Sequence, residues 1–230
     1  MPRGFALARV GVVDLFFRSW NALQNAVKSL EGGQWAAPSG CAGWLVQDLV
    51  FHLVIDAQDI LITLATPSEA EPTHTAAQYW ELSNDLPTGA EPESLFTRRA
   101  AVSYGTPAGL VHHFDDLAQA AGRAAALADP AARVETRDYV LTVADYFETY
   151  VVEATLHHLD LVLHLSGVDG PDADCLAATR RTVETALGSP LPSSLDDRSA
   201  LLVATGRRAA TDEEKAALGA LAEKLPIVLG

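Results

Sequence analysis

Four stretches of this chain, residues 9–30, 44–65, 107–128 and 142–165, read as long amphipathic helices set apart by turn-forming residues. In the first, Val10, Val13, Leu15, Phe16, Trp20, Leu23, Val27 and Leu30 recur at helical spacing and stop at Glu31-Gly32-Gly33, where glycine suits a helix C-terminus. The second ends before Thr66-Pro67-Ser68, because the residue ahead of a proline resists helical geometry. The third follows a break at Tyr104-Gly105-Thr106-Pro107 and closes at Asp129-Pro130. The fourth has Thr142 as its N-cap and Ser166-Gly167 at its exit. Four apolar stripes of this length bury one another, so the predicted fold is all-α: a four-helix bundle with crossover connections.

The connections differ in character. Residues 67–92 are acidic and proline-rich, with a short helix expected near Gln78–Leu82, and a link of this length is usually functional or mobile. It is expected at the mouth of any pocket. Val134-Glu135-Thr136-Arg137-Asp138-Tyr139-Val140 reads as extended. After Gly167, residues 172–188 and 211–224 read as two further helices, with a shorter one from Ala200 to Val203. The expected organisation is a bundle over residues 1–167 and a helical C-terminal extension over 168–230 that packs on it.

Hydrophobic residues make up 49% of the chain and charged residues 20%, which suits an ordered globular protein. The net charge of −14 and the lack of a basic stripe argue against nucleic-acid binding. Apolar runs are broken well short of a membrane span. Met1-Pro2-Arg3-Gly4 leads into an amphipathic segment rather than a leader with a small-residue cleavage site, so a cytoplasmic protein, monomer or homodimer, is expected. Cys41 and Cys175 are too few for a disulfide framework or a cysteine-rich zinc module.

Glu153 and His157 are four residues apart and share a helix face, while His52 comes from a different helix. Two histidines and a glutamate make a catalytic rather than a structural zinc set, since three ligands leave a position open. Such pairs also arise by chance, and a lone histidine in an apolar helix is commonly a satisfied core residue. Asp48 and Asp56 flank His52 at i−4 and i+4, on a face that should otherwise be buried. Asp56 and Asp59 are read as solvated or pocket-rim carboxylates. Asp160 and His164 continue the stripe of Glu153 and His157, whereas His158 is rotated about 100° away. His164 is expected near the helix end, and His112 and His113 at the surface or in packing.

The run Trp35-Ala36-Ala37-Pro38-Ser39-Gly40-Cys41-Ala42-Gly43-Trp44, leading into Asp48-Leu49-Val50-Phe51-His52-Leu53, resembles the second-helix signature of the DinB-like, mycothiol-dependent maleylpyruvate isomerase N-terminal family. Leu141-Thr142-Val143-Ala144-Asp145-Tyr146, continuing through Val151-Val152-Glu153 to His157-His158-Leu159-Asp160-Leu161, is similar to that family's fourth helix. The resemblance implies a DinB-like bundle holding a divalent metal, usually zinc, on His52, Glu153 and His157. It also implies mycothiol as thiol cosubstrate and S-transferase or isomerase activity on a small electrophile. A hydrolase using metal-bound water, or a non-catalytic ligand-binding bundle, are the competing readings. Asp48 and Asp160 are candidates to orient a ligand histidine, and Arg98, Arg99 and Arg207 to grip a carboxylate on thiol or substrate. Cys41, at the family's usual cysteine position, is read as a small buried residue ahead of a reactive thiol. Where the family often has threonine after the tryptophan, this chain has Leu45, which removes the threonine half of a capping box with Asp48 and is expected to free that acid from the reciprocal cap.

Overall fold

A computed structural model of the chain describes residues 3–229, with side chains from Gly11 onward. Met1, Pro2 and the side chain of Val10, which enter the expectations from sequence, lie outside them. Five helices come first: α1 (Arg3–Lys28), α2 (Val46–Leu64), α3 (Pro92–Val102), α4 (Pro107–Leu127) and α5 (Val143–Val162). All but α3 form the bundle, in which the neighbouring pairs are α1–α5, α5–α2, α2–α4 and α4–α1. Thus α1 and α2 occupy opposite corners, as do α4 and α5, and the connections cross the bundle ends. Phe16, Trp20 and Leu23 of α1, Leu49, Leu53 and Ile60 of α2, Leu110 and Phe114 of α4, and Tyr146 and Phe147 of α5 are fully buried between the helices. Each is worth about 1.5–3 kcal/mol relative to exposure. Phe16 stacks on Phe147 with ring centroids 4.6 Å apart, and Trp20 Nε1 donates to Ala118 O at 3.1 Å.

The helix α3 is one that periodicity does not announce. Its buried positions are only Thr97 and Ala101, while Phe96 and Val102 face outward, so it presents no apolar stripe. The short helix expected near Gln78–Leu82 is not formed. A turn occupies residues 76–78 and is followed by β1 (Leu82–Ser83), whose backbone pairs antiparallel with the distant β4 (Val228–Leu229). Tertiary pairing there outweighs local helix preference. Between these, β2 (Arg133–Thr136) and β3 (Tyr139–Thr142) form an antiparallel hairpin. Arg137 and Asp138 at its tip both have positive φ, 49° and 64°, as a two-residue type I′ turn requires. β3 runs directly into α5, where Thr142 Oγ1 accepts from Asp145 N at 3.0 Å as the N-cap.

The rest of the chain folds back on α5. α6 (Ala173–Leu187) packs against α5, α7 (Asp197–Ala204) packs against α6, and α8 (Asp212–Leu218) follows. Val152, Leu156 and Leu159 of α5 form a second apolar cluster with Val183, Leu201, Leu202 and Ile227. Buried by the bundle on one side and by this cluster on the other, α5 can hold charged groups entirely away from water. No helix among the described residues is long and apolar enough to cross a membrane.

Candidate metal centre

Neighbouring helices α2 and α5 bring their polar residues face to face. α5 offers Glu153, His157 and Asp160 along one stripe, and α2 offers His52 and Asp56 one turn apart. Glu153 Oε1 lies 3.0 Å from His157 Nε2 and 3.6 Å from His52 Nε2, and the two imidazole centroids are 4.8 Å apart. Asp56 Oδ1 stands 3.6 Å from His52 Nε2. One donor atom from each of these four residues lies within 4.8 Å of the other three. Donors sharing an ion at about 2.0–2.1 Å can be no more than about 4.2 Å apart, so small side-chain rotations would close this set on a divalent cation.

A second group, Cys41, His157 and Asp160, is also compact. Its chemistry is already engaged elsewhere. Asp160, wholly buried, accepts from Arg207 Nε and Nη2 at 2.8 Å each and from His157 Nδ1 at 3.2 Å. Both ring nitrogens of His157 face carboxylates, Nδ1 that of Asp160 and Nε2 that of Glu153; with Nδ1 held by Asp160, loss of the Nε2 proton would turn that nitrogen's lone pair toward a metal shared with Glu153 and His52. Cys41 Sγ, 3.8 Å from His157 Nδ1, sits beside this pair. Gly40 N donates to Asp160 O at 2.8 Å, and a Cβ on Gly40 would fall 2.3 Å from Asp160 Oδ1. Only glycine lets the loop approach α5 so closely.

The electrostatics follow from burial and pairing. Burial alone would raise Glu153, yet the charges and hydrogen bonds of His157 and His52 hold it well below the usual carboxylate range. Burial likewise opposes a charged His157, but the charge of Glu153 and the hydrogen bond His157 donates to Asp160 lift it well above an ordinary imidazole. Asp160 is desolvated, and Arg207 followed by His157 nevertheless brings it down to about 2. Desolvation wins at Asp56, which is pushed up to about 6 despite His52. Cys41 is raised, by burial first and the charge of Asp160 second. Glu153 and Asp160 are fully anionic at neutral pH, and Asp56, at about 6, is mostly so, which leaves all three carboxylates able to meet a cation.

Placement of the other residues singled out from sequence varies. Asp160 touches a ligand-candidate imidazole. Asp48 does not: its Oδ2 accepts from Leu45 N at 2.9 Å, the carboxylate half of a capping box that persists although Leu45 has no oxygen to return. Arg98 and Arg99 are exposed on α3 and line neither cavity described below. Arg207 reaches the centre, bound to Asp160. His158 Nε2 donates to Asp169 O at 2.8 Å, and His112 pairs with Asp116 at 3.5 Å on the surface. Asp56 corrects the expectation of a solvated or rim carboxylate, being only 7% exposed. Its i+4 spacing from His52 was the available signal. Asp59 accepts from the hydroxyls of Tyr146 and Tyr150 at 2.9 Å each, a contact with no counterpart in local spacing.

Two cavities meet at the cluster. One, of about 510 Å³, has His52, Asp56 and Glu153 at its base and Tyr79, Trp80 and Phe96 among its walls, with Arg137 of the hairpin tip beside Tyr79. The other, of about 460 Å³, also reaches His52 and Glu153 and includes His157, Cys41, Leu86 and Arg207. Tyr79, Trp80, Leu86 and Pro87 all come from the 67–92 connection, which lies at the site as expected. No curated protein and no solved structure matches the chain. Residues 16–162 match the family model described as the mycothiol maleylpyruvate isomerase N-terminal domain. That span holds the bundle core, α2 and the part of α5 that carries Glu153, His157 and Asp160, and the chain belongs to this family.

Proposed function

We propose that this protein is a divalent-metal-dependent S-transferase or isomerase that uses mycothiol to attack a small electrophile, working in the cytoplasm as a monomer or homodimer. The observation that carries the reading is the convergence of His52, Glu153 and His157, from two helices, at the floor of two cavities in a member of this family. These residues would hold the ion, with zinc the first candidate for an imidazole-rich set. A bound divalent ion supplies the charge that keeps a thiol ionised at neutral pH, where a free thiol with a pKa near 8.5 is mostly protonated.

The chain's own groups prepare the site for that chemistry. Asp160 fixes the ring of His157 through Nδ1, and Arg207 keeps Asp160 ionised. Tyr79, Trp80, Phe96 and Trp44 wall the cavities with apolar surface, which limits water beside the reacting sulfur. No side chain of the protein need form a covalent bond. Arg98 and Arg99, exposed on α3, remain candidates for a carboxylate of thiol or substrate approaching from solvent, while Arg207 acts through Asp160.

Purified without a metal-affinity tag, the protein is expected to contain near-stoichiometric metal and to conjugate a generic electrophile only when mycothiol is added. His157→Ala should lose metal and conjugation together, by at least about 100-fold, because a ligand and its anchoring hydrogen bond go at once. Turnover of ester or amide substrates without thiol would instead establish a hydrolase. Metal without turnover on any electrophile would establish a binding protein.

A further inference from the structure

Asp56 is the one carboxylate at the centre that a three-ligand set leaves without a role. Its side chain is 10% exposed and lines the larger cavity beside His52 and Glu153. Among the described residues its nearest cationic partner is His52 Nε2, at 3.6 Å beyond hydrogen-bonding reach, and no donor is directed at either of its oxygens. Asp59, three residues on, makes the contrast: two tyrosine hydroxyls satisfy it at 2.9 Å each. The oxygens of Asp56 keep a little access to the cavity, and a carboxylate so largely withdrawn from water without a hydrogen-bond donor gains from a cation placed there. The donor set around Asp56 places that cation, since its oxygen falls within 4.8 Å of ligand atoms on His52, Glu153 and His157.

We infer that Asp56 is a fourth protein ligand, so that the centre is a two-histidine, two-carboxylate site rather than a three-ligand one. The inference rests on the metal-dependent reading and sharpens it in two ways. With four protein donors a tetrahedral ion has no position left, so a thiol or substrate must enter as a fifth donor. Two carboxylates against two imidazoles also bring the centre with a divalent ion to zero net charge, and a second oxygen donor suits harder first-row ions such as manganese(II) and iron(II) better than the three-ligand set does. The ligand class assigned to this site is therefore a divalent first-row ion that two imidazoles and two carboxylates would hold.

The test uses the full chain, stripped of metal and titrated with Zn(II), Mn(II) and Co(II) in the wild type, Asp56→Asn and Asp59→Asn. Asp56→Asn should weaken all three ions by more than about 100-fold, beyond the loss typical of an outer-sphere contact, and should alter the visible spectrum of the cobalt form. Asp59→Asn removes an equal charge one turn away and should weaken them by less than about tenfold, with the cobalt spectrum kept. Folding is checked by circular dichroism and melting of the metal-free forms, where Asp56→Asn should melt no lower than wild type because it removes a largely buried charge that has no hydrogen-bond donor. Wild-type affinity and spectrum in Asp56→Asn would overturn the inference. So would equal losses in the two variants with the spectrum unchanged, which would reduce Asp56 to a distant charge. If His157→Ala loses the ion while Asp56→Asn keeps it, the metal centre stands and only the fourth ligand falls; if the folded wild type takes up none of the three ions, the metal-dependent reading itself falls.

Discussion

Asp160 is held without access to water by one guanidinium, one imidazole and the packing of Gly40 against its backbone. Folding lowers its pKa to about 2, so the folded protein binds this proton less readily than the unfolded chain. The stability that results is present above about pH 4 and is lost as the pH falls through about 2, and the shift corresponds to something on the order of 2 kcal/mol. Asp160→Asn should lower stability at neutral pH by about 3–5 kcal/mol, because Arg207 is then buried without its counter-charge. Urea unfolding at pH 7 and across pH 2–5 checks both points, and the variant should show the shallower acid limb. Parallel acid limbs in the two proteins would remove Asp160 from this account. The pairing with His157 was legible in sequence, since Asp160 shares its stripe. Its partner Arg207 could be listed but not placed, because the chain reaches α5 again only through tertiary packing. Asp56 was legible by spacing from His52, yet its burial depends on α5 and the cavity walls, which local periodicity does not report.

Elements with a continuous apolar stripe were readable from the chain: α1, α2, α4 and α5 lie where helical periodicity and their turn residues put them. α3 lacks such a stripe, and β1 exists only because β4 pairs with it, so neither could be seen locally. The loop before α2 shows how tightly elements are fitted at the centre. Gly40→Ala would put a Cβ 2.3 Å from Asp160 Oδ1 and 2.8 Å from Asp160 Cα, forcing loop and helix apart at a cost of about 1–3 kcal/mol. Gly122 on α4 meets nothing within 4 Å and is helical, so Gly122→Ala should stabilise the protein by roughly 0.5–1 kcal/mol. Denaturant midpoints of the two variants should move in opposite directions. A shared direction would show that the packing of Gly40 on α5 is looser than these contacts require.

At the scale of the whole molecule, the family match ends at residue 162, whereas the centre does not. Arg207 follows α7, on a segment that packs behind α5 through Val183, Leu201 and Leu202, and its guanidinium closes the chain of contacts from Asp160 to His157 to Glu153. The same segment returns through β4 to cover the smaller cavity, with Asn84 Nδ2 donating to Lys224 O and Pro226 O at 2.9 and 2.7 Å. The C-terminal segment therefore contributes a charge to the candidate centre, and removing it should reach any bound ion without touching a proposed ligand. Arg207→Gln leaves buried Asp160 without its strongest counter-charge and with His157 as its remaining partner, so its hold on the His157 ring weakens and metal affinity should fall by about 10–100-fold. Arg208→Gln is the control, since Arg208 pairs with Glu214 on α8 and has no contact with Asp160. Competition with a chromophoric chelator, on folded protein well below each variant's melting temperature, should show that loss for Arg207→Gln and less than about a twofold change for Arg208→Gln. Equal affinity in all three proteins would mean that the segment only covers the site and that His157 is positioned by α5 alone.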